Sequence, residues 1–134
     1  MGRAIAAVVV AEVVWSALWL GGSFAAQSAL PDLVVAGQPL THTGLLLGYV
    51  AYSAVLSIGA GYVAAWVKGV RPMRTVWVFA FIQLAVGIGV EVSAWTLTPV
   101  WYHLMFLALL VPATVFGGRL RAAAAAPLAD GETC

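Results

Sequence analysis

Four long apolar stretches fill almost the whole chain, and each one ends at proline, glycine or a charged residue. A helix of about 20 mainly apolar residues is long enough to cross the hydrocarbon core of a bilayer. Lipid offers no hydrogen bonds, so a crossing segment must satisfy its own backbone polar groups, as a helix does. The pattern therefore predicts an all-α membrane protein, a four-transmembrane-helix bundle running up-down-up-down, with helices at about residues 4–30, 41–67, 75–97 and 99–119.

Residues 1–121 form the predicted membrane domain, and residues 122–134 form a different kind of segment. This last segment starts with a run of alanines and has no apolar face, so we expect a disordered tail. At the other end, the first stretch begins like a secretory signal peptide. Its length and the charge of Glu12 within it favour a retained helix over a cleaved one.

The composition agrees with a membrane location. Hydrophobic residues make up 63% of the 134 residues and charged residues only 8%. A soluble domain of this size leaves too much of its surface in water to hide so many apolar groups. The net charge is +1 and there is no phosphate-cradling glycine loop, so neither nucleic acid nor a nucleotide is an expected partner.

Lysine and arginine residues lie in alternate connections between the stretches, and this sets the expected orientation. The connections after the first and third stretches contain no Lys or Arg, and all the basic residues fall on the other side: Arg3, Lys68, Arg71, Arg74, Arg119 and Arg121. Basic residues in short loops mark the cytoplasmic side of a membrane protein. We therefore expect a bacterial inner-membrane protein with both termini in the cytoplasm.

Polar residues within each stretch recur at helical spacing. Successive helix residues turn by about 100°, so residues four, seven and eleven apart share one face. Polar groups inside a membrane are costly, and we expect these faces to meet inside the bundle. The candidates for a polar core or a transport path are Glu12, Ser16, Gln27, Tyr49, Ser53, Gln83, Glu91 and His103.

Two carboxyl groups are the most informative of these candidates. Glu12 is expected about 12 Å from the cytoplasmic edge and Glu91 about 9 Å from the outer edge, at 1.5 Å of rise per residue. An ionisable group inside a membrane is a candidate for function, so each could carry a proton or bind a cation. The alternative is a carboxyl group that only hydrogen-bonds a neighbouring helix.

Both histidines are expected on the outer side. His103 lies within about one helical turn of Glu91 in depth because the last two helices form a tight hairpin, which predicts a hydrogen bond or ion pair between them. Two histidines and a carboxylate, here His42, His103 and Glu91, could bind a transition metal or haem. No ligand pair is closely spaced, so we predict no cofactor and keep metal or haem binding as an alternative.

Small residues recur every four positions in three of the helices. Such ridges let membrane helices approach closely. We expect them to pack the monomer, with a homodimer or larger complex as the alternative. The ridges are Ala17, Gly21, Ala25 and Ala29; Ser53, Ser57, Gly61 and Ala65; and Ala85, Gly89 and Ser93.

Two segments resemble known membrane proteins. The run Pro-Val-Trp-Tyr-His at residues 99–103, continuing to Pro112 and ending Gly-Gly-Arg-Leu-Arg at residues 117–121, resembles the last helix of small four-span bacterial integral membrane proteins that have no assigned function. Ala-Glu-Val at residues 11–13 resembles the small multidrug resistance transporters. That second resemblance implies a proton-coupled role for Glu12.

The sequence thus predicts a small multi-pass, non-enzymatic membrane protein that serves as an accessory or structural subunit of a membrane assembly. One alternative is a small proton-linked transporter or channel that uses Glu12 and Glu91. A second is a redox subunit that binds haem or a metal through His42 and His103. The only partner that every alternative requires is the lipid bilayer.

Overall fold

The computed structural model describes residues 1–130, and the side chains of residues 1–126. The described chain consists of four helices: α1 (Gly2–Ala29), α2 (Thr43–Lys68), α3 (Met73–Ser93) and α4 (Val100–Asp130). All four are long and apolar enough to cross a membrane. The prediction of an all-α fold with four membrane helices is confirmed.

The ends of the last two helices differ from the prediction. Helix α3 stops at Ser93, whose hydroxyl donates to the Val90 carbonyl at 2.6 Å, and residues 94–97 turn towards α4. Helix α4 does not end near Arg119 but continues to Asp130. The disordered tail is thus not observed for residues 122–130, because alanine is the strongest helix former and the alanine run extends α4. Residues 131–134 lie outside the described part.

The connections are tied at both ends of the bundle. At one end the Leu40 N–H donates to the Leu97 carbonyl at 2.7 Å, which joins the long α1–α2 connection to the α3–α4 turn. His42 caps α2 there, and its Nδ1 accepts from the Leu45 N–H at 3.1 Å. At the other end Gly69 ends α2 with φ of +76°, a backbone conformation that residues with a side chain rarely adopt.

The helices form a ring in the order α1, α2, α4, α3. The most extensive interface joins α2 to α4, and the backbones of α1 and α4 make no close approach. Successive helices are antiparallel: Glu91 meets His103 near one end of the α3–α4 pair, and Gly118 meets Val76 near the other. It follows that α2 and α4 run in the same direction side by side.

Two glycines make the α2–α4 interface close. Gly61 of α2 lies against the backbone carbonyl of Thr114, and Gly117 of α4 lies against that of Ile58. The two contacts are equivalent, because Thr114 precedes Gly117 by three residues and Ile58 precedes Gly61 by three residues (117 − 114 = 3 and 61 − 58 = 3). A side chain at either position would collide with the opposite backbone. This is the close backbone packing through small residues by which membrane helices associate.

Aromatic rings fill the wider space between α1 and α4. Trp15 and Trp19 stack with ring centroids 5.8 Å apart, and Trp19 lies 5.3 Å from Phe106. Tyr102 continues the cluster 6.0 Å from Phe106. These rings form the core where the backbones are too far apart to pack directly.

The three ridges of small residues have different surroundings. The α2 ridge is buried, as expected for residues that pack the monomer. The ridges of α1 and α3 are exposed, and Gly21 and Gly89 face open space. The prediction that the ridges pack the monomer therefore holds for α2, and the structure differs from it for α1 and α3.

Candidate functional site

All six basic residues lie at one end of the bundle, which we call the basic end. The Arg3 guanidinium lies beside Gly69, and Gly118, next to Arg119, lies against Val76 near the start of α3. We call the end that carries the α1–α2 connection and the α3–α4 turn the opposite end. That the basic end faces the cytoplasm remains a prediction.

A buried pair of side chains occupies the opposite end. His103 is fully buried and Glu91 is 4% exposed, and Oε2 of Glu91 is bonded to Nδ1 of His103. The ring of Trp95 stacks on the imidazole at 4.5 Å with an angle of 12° between the planes. The predicted contact between Glu91 and His103 is present, because the tight α3–α4 turn places the two residues at the same depth.

The second ring nitrogen of His103 shows where protons lie in this pair. Nε2 is 3.0 Å from the Thr98 hydroxyl and 3.2 Å from the carbonyl oxygens of both Trp95 and Thr98. A carbonyl oxygen can only accept, so Nε2 carries a proton. Nδ1 then either donates to a carboxylate or accepts from a carboxylic acid. Both arrangements share one proton and leave the pair with no net charge.

A cavity of about 260 Å³ adjoins this pair. Its wall combines one carboxyl group, from Glu91, with the aromatic side chains of Trp19, Tyr49 and Tyr102. The hydrogen bond to His103 uses Oε2 of Glu91, and Oε1 has no described partner. No Lys or Arg lines the cavity. An acceptor oxygen beside aromatic faces suits a small cation or hydrogen-bond donor better than an anion.

A second polar cluster crosses the middle of the bundle. Trp15 Nε1 donates to Ser57 Oγ at 3.1 Å, and Gln83 Nε2 approaches the same oxygen at 3.4 Å. The Thr114 hydroxyl donates to Gln83 Oε1 at 2.5 Å. Each of the four helices supplies one of these buried side chains. We call this cluster the polar layer, and it ties all four helices together at one depth.

Glu12 lies on the basic side of the polar layer. Both of its carboxyl oxygens are enclosed, and no other helix offers them a hydrogen bond; Ser16, one turn along α1, is the polar side chain beside them. Glu12 lies about 4.5 Å from Trp15 along α1, and Glu91 about 12 Å from Gln83 along α3, on opposite sides of the layer. The structure therefore keeps the two carboxyl groups apart, with the polar layer between them.

The remaining candidates are dispersed. Tyr49 and Gln27 line the cavity, and Gln27 is exposed. Ser53 is buried and donates to the Val50 carbonyl at 3.2 Å, and Ser16 is half-buried one turn from Glu12.

His42 is separate from the Glu91–His103 pair. It is exposed at the start of α2, where its ring caps the helix. Among the side chains of residues 1–126, the structure brings no three of His, Cys, Asp or Glu together as metal ligands. The set of His42, Glu91 and His103 considered for a metal is thus not assembled.

Sequence reasoning missed several residues of both clusters. Thr98, Tyr102 and Trp15 were not among the candidate residues. Gly117 carried a usable signal, because it lies on α4 at the depth of Gly61 on α2. Thr98 carried none, since its role depends on the turn after α3.

Comparisons with models of protein families, with curated proteins and with solved structures found no match for this chain. What the protein does is therefore inferred from its own residues. The features that bear on function are the Glu91–His103 pair with its cavity, the polar layer and the exposed face of α1.

Proposed function

We propose that this protein is a non-enzymatic, multi-pass accessory or structural subunit of an assembly in the bacterial cytoplasmic membrane, with both termini in the cytoplasm. The observation that most supports this role is the small-residue face of α1, which no other part of the described chain covers. In the apolar 18-residue stretch of α1, only 17% of the residues are buried, whereas 39% are buried in the corresponding stretch of each of the other three helices.

Glycines elsewhere in the bundle show what such a face does in this protein. Gly61 and Gly117 touch the backbone of a neighbouring helix, and Gly87 touches the side chain of Leu110. Gly21 also lies in a row of small residues along its helix, but a Cβ added there would meet no atom within 4 Å. Close approach through small residues is a main source of helix association in lipid. The face of α1 thus has the surface of a packed helix and lacks the partner.

The polar interior also supports a structural role. The polar layer joins all four helices, and its side chains bond to one another. The Glu91–His103 pair likewise satisfies its own charge within the bundle. Polar side chains that bond across helices in this way stabilise a membrane bundle.

A photo-crosslinking experiment tests the accessory role. Phe24 is 72% exposed beside the small-residue face of α1, and Phe116 is 53% exposed on α4. Each is replaced in turn by p-benzoylphenylalanine, which keeps the ring, and membranes of the native host are irradiated. We expect Phe24→p-benzoylphenylalanine to form a discrete adduct with another membrane protein and the Phe116 variant to form none.

Two outcomes would contradict the proposal. If both variants react only with lipid, the face of α1 has no protein neighbour and the accessory role is wrong. If the Phe24 variant yields an adduct of two 14.0-kDa chains and nothing else, the face makes a homodimer instead.

The second candidate function is proton-linked transport, and one observation favours it: both oxygens of Glu12 are enclosed, and no other helix offers them a hydrogen bond. The purified protein in liposomes, with Glu12→Gln and Glu91→Gln variants, separates the two functions. The accessory role predicts proton flux equal to that of empty liposomes. A pH-driven flux that is present in the wild type and lost in either variant would replace the accessory role by transport.

A further inference from the structure

A long groove opens between α1 and α3 at the basic end, with a volume of about 690 Å³. It exists because α1 packs mainly on α2 and touches α3 much less. Its walls are apolar: Ile5 and Val8 come from α1, and Val78 and Ile82 come from α3. The groove faces the lipid side of the bundle and is separate from the cavity beside Glu91.

The mouth of this groove is strongly basic. Lys68, Arg71 and Arg74 line it, and no Asp or Glu of the described residues does. The three charges come from the end of α2, the α2–α3 connection and the start of α3. A groove with apolar walls and a cationic mouth is complementary to a molecule with an apolar chain and an anionic head.

The backbone of the α2–α3 connection helps to place these charges. Arg71 has φ of +49°, and it is the one residue other than glycine with positive φ in the described chain. The following residue, Pro72, further restricts Arg71, since a residue before proline prefers extended backbone. Such a conformation is costly in free energy and persists only where the surroundings enforce it. The Lys68 ammonium fixes the turn by donating to the Val70 carbonyl at 3.0 Å.

The length of the groove matches one leaflet of a bilayer. From Arg74 to Ile82 the wall of α3 rises about 12 Å, at 1.5 Å per residue. Half of a hydrocarbon core of about 30 Å is about 15 Å. An acyl chain that starts at the basic mouth would therefore lie along the groove over most of its own leaflet.

We propose that this groove binds one anionic phospholipid, with the phosphate at Arg71 and Arg74 and one acyl chain between α1 and α3. Basic pockets between transmembrane helices on the cytoplasmic side bind anionic lipid head groups on the same physical grounds. This site goes beyond the accessory role, and neither depends on the other.

Lipid titration of the purified full-length protein tests the proposal. The probes are phosphatidylglycerol, phosphatidylcholine with the same acyl chains, and inorganic phosphate, and bound lipid is counted by native mass spectrometry. We expect the Arg71→Gln/Arg74→Gln variant to bind phosphatidylglycerol about 25-fold more weakly, at about fivefold for each charge removed near the surface. The matched control is Arg119→Gln/Arg121→Gln, which removes two charges from the same end but outside the groove, and it should stay within about twofold of wild type.

A second pair of variants tests the apolar wall without changing charge. Val78→Trp fills the groove and should reduce phosphatidylglycerol binding at least about fivefold. Val86→Trp places the same ring on an exposed position of α3 outside the groove and should not.

Three results would overturn the lipid site. Equal binding of the two lipids by the wild type is the first, and equal losses in the groove and control variants are the second. The third is displacement of phosphatidylglycerol by millimolar inorganic phosphate, which would show a site for a free anion instead.

Discussion

Replacing Gly61 by alanine should weaken the interface between α2 and α4, the largest in the bundle. The added Cβ would lie 2.8 Å from the carbonyl carbon of Thr114 and closer still to its oxygen. Both are backbone atoms, which cannot rotate away as a side chain can. The two helices must therefore move apart, by on the order of 1 Å, along their whole contact.

The size of the effect follows from three contributions. Overpacking at a tight contact costs about 1–3 kcal/mol, and a lost Cα–H···O contact costs about 0.5–1 kcal/mol. Alanine recovers about 1 kcal/mol as a better helix former than glycine. We therefore expect Gly61→Ala to lower the free energy of unfolding by about 0.5–3 kcal/mol.

Gly59 provides a control on the same helix. It is exposed, and a Cβ there would meet nothing within 4 Å. Gly59→Ala should be neutral or stabilising by up to about 1 kcal/mol. The assay is unfolding in mixed micelles by increasing sodium dodecyl sulfate, followed by tryptophan fluorescence and helical circular dichroism.

The comparison of the two variants decides the outcome. If the free energies of unfolding of Gly61→Ala and Gly59→Ala differ by less than about 0.5 kcal/mol, the backbones of α2 and α4 are not in contact at this depth. The ring order of the helices would then have to be revised as well, because it depends on the same interface.

Three further outcomes are expected. Gln83→Leu should lower the free energy of unfolding by about 1–2 kcal/mol, since the buried Thr114 hydroxyl loses its acceptor and Ser57 keeps only its bond from Trp15. An unchanged midpoint in the same titration would contradict the polar layer. His103→Phe and Glu91→Leu should each lower the free energy of unfolding. The loss in the double variant should be about 1–2 kcal/mol smaller than the sum of the two single losses, and an additive result would mean that the two side chains do not interact. In intact cells, with the single native cysteine replaced by alanine, a cysteine at Gln38 should react with a membrane-impermeant maleimide and one at Arg71 should not; equal reactivity would refute the four-span orientation.

The number of helices and one side-chain contact could be predicted from the sequence. Hydropathy is a strong signal for membrane helices because a segment in lipid finds no hydrogen bonds outside itself. A helix satisfies its own backbone polar groups, so a long apolar stretch in a membrane is expected to be helical. The pairing of Glu91 with His103 followed from a short turn, which fixes the relative depth of two neighbouring helices. Both predictions needed only local information.

The polar layer and the Gly61–Gly117 contact could not be predicted in the same way. Short connections show which helices are antiparallel but not that α2 lies beside α4 in the ring. The partners of Gln83 depend on that order, since Thr114 and Ser57 come from α4 and α2. The end of α4 was missed for another reason: the alanine run was judged by its lack of an apolar face, whereas helix propensity decides its structure.

The least buried helix, α1, lines both the cavity and the groove. Helix α1 contributes Trp19 to the cavity at the opposite end and Ile5 to the groove at the basic end. It is held by few polar contacts, among them the bond from Trp15 to the polar layer and the 2.6 Å bond from the Tyr52 hydroxyl to the Leu18 carbonyl. Elements with few buried contacts are those that move at low cost in free energy. A partner on the exposed face of α1 would therefore act on the most weakly held of the helices that line the cavity and the groove, while α2 and α4 stay fixed by their glycine contact.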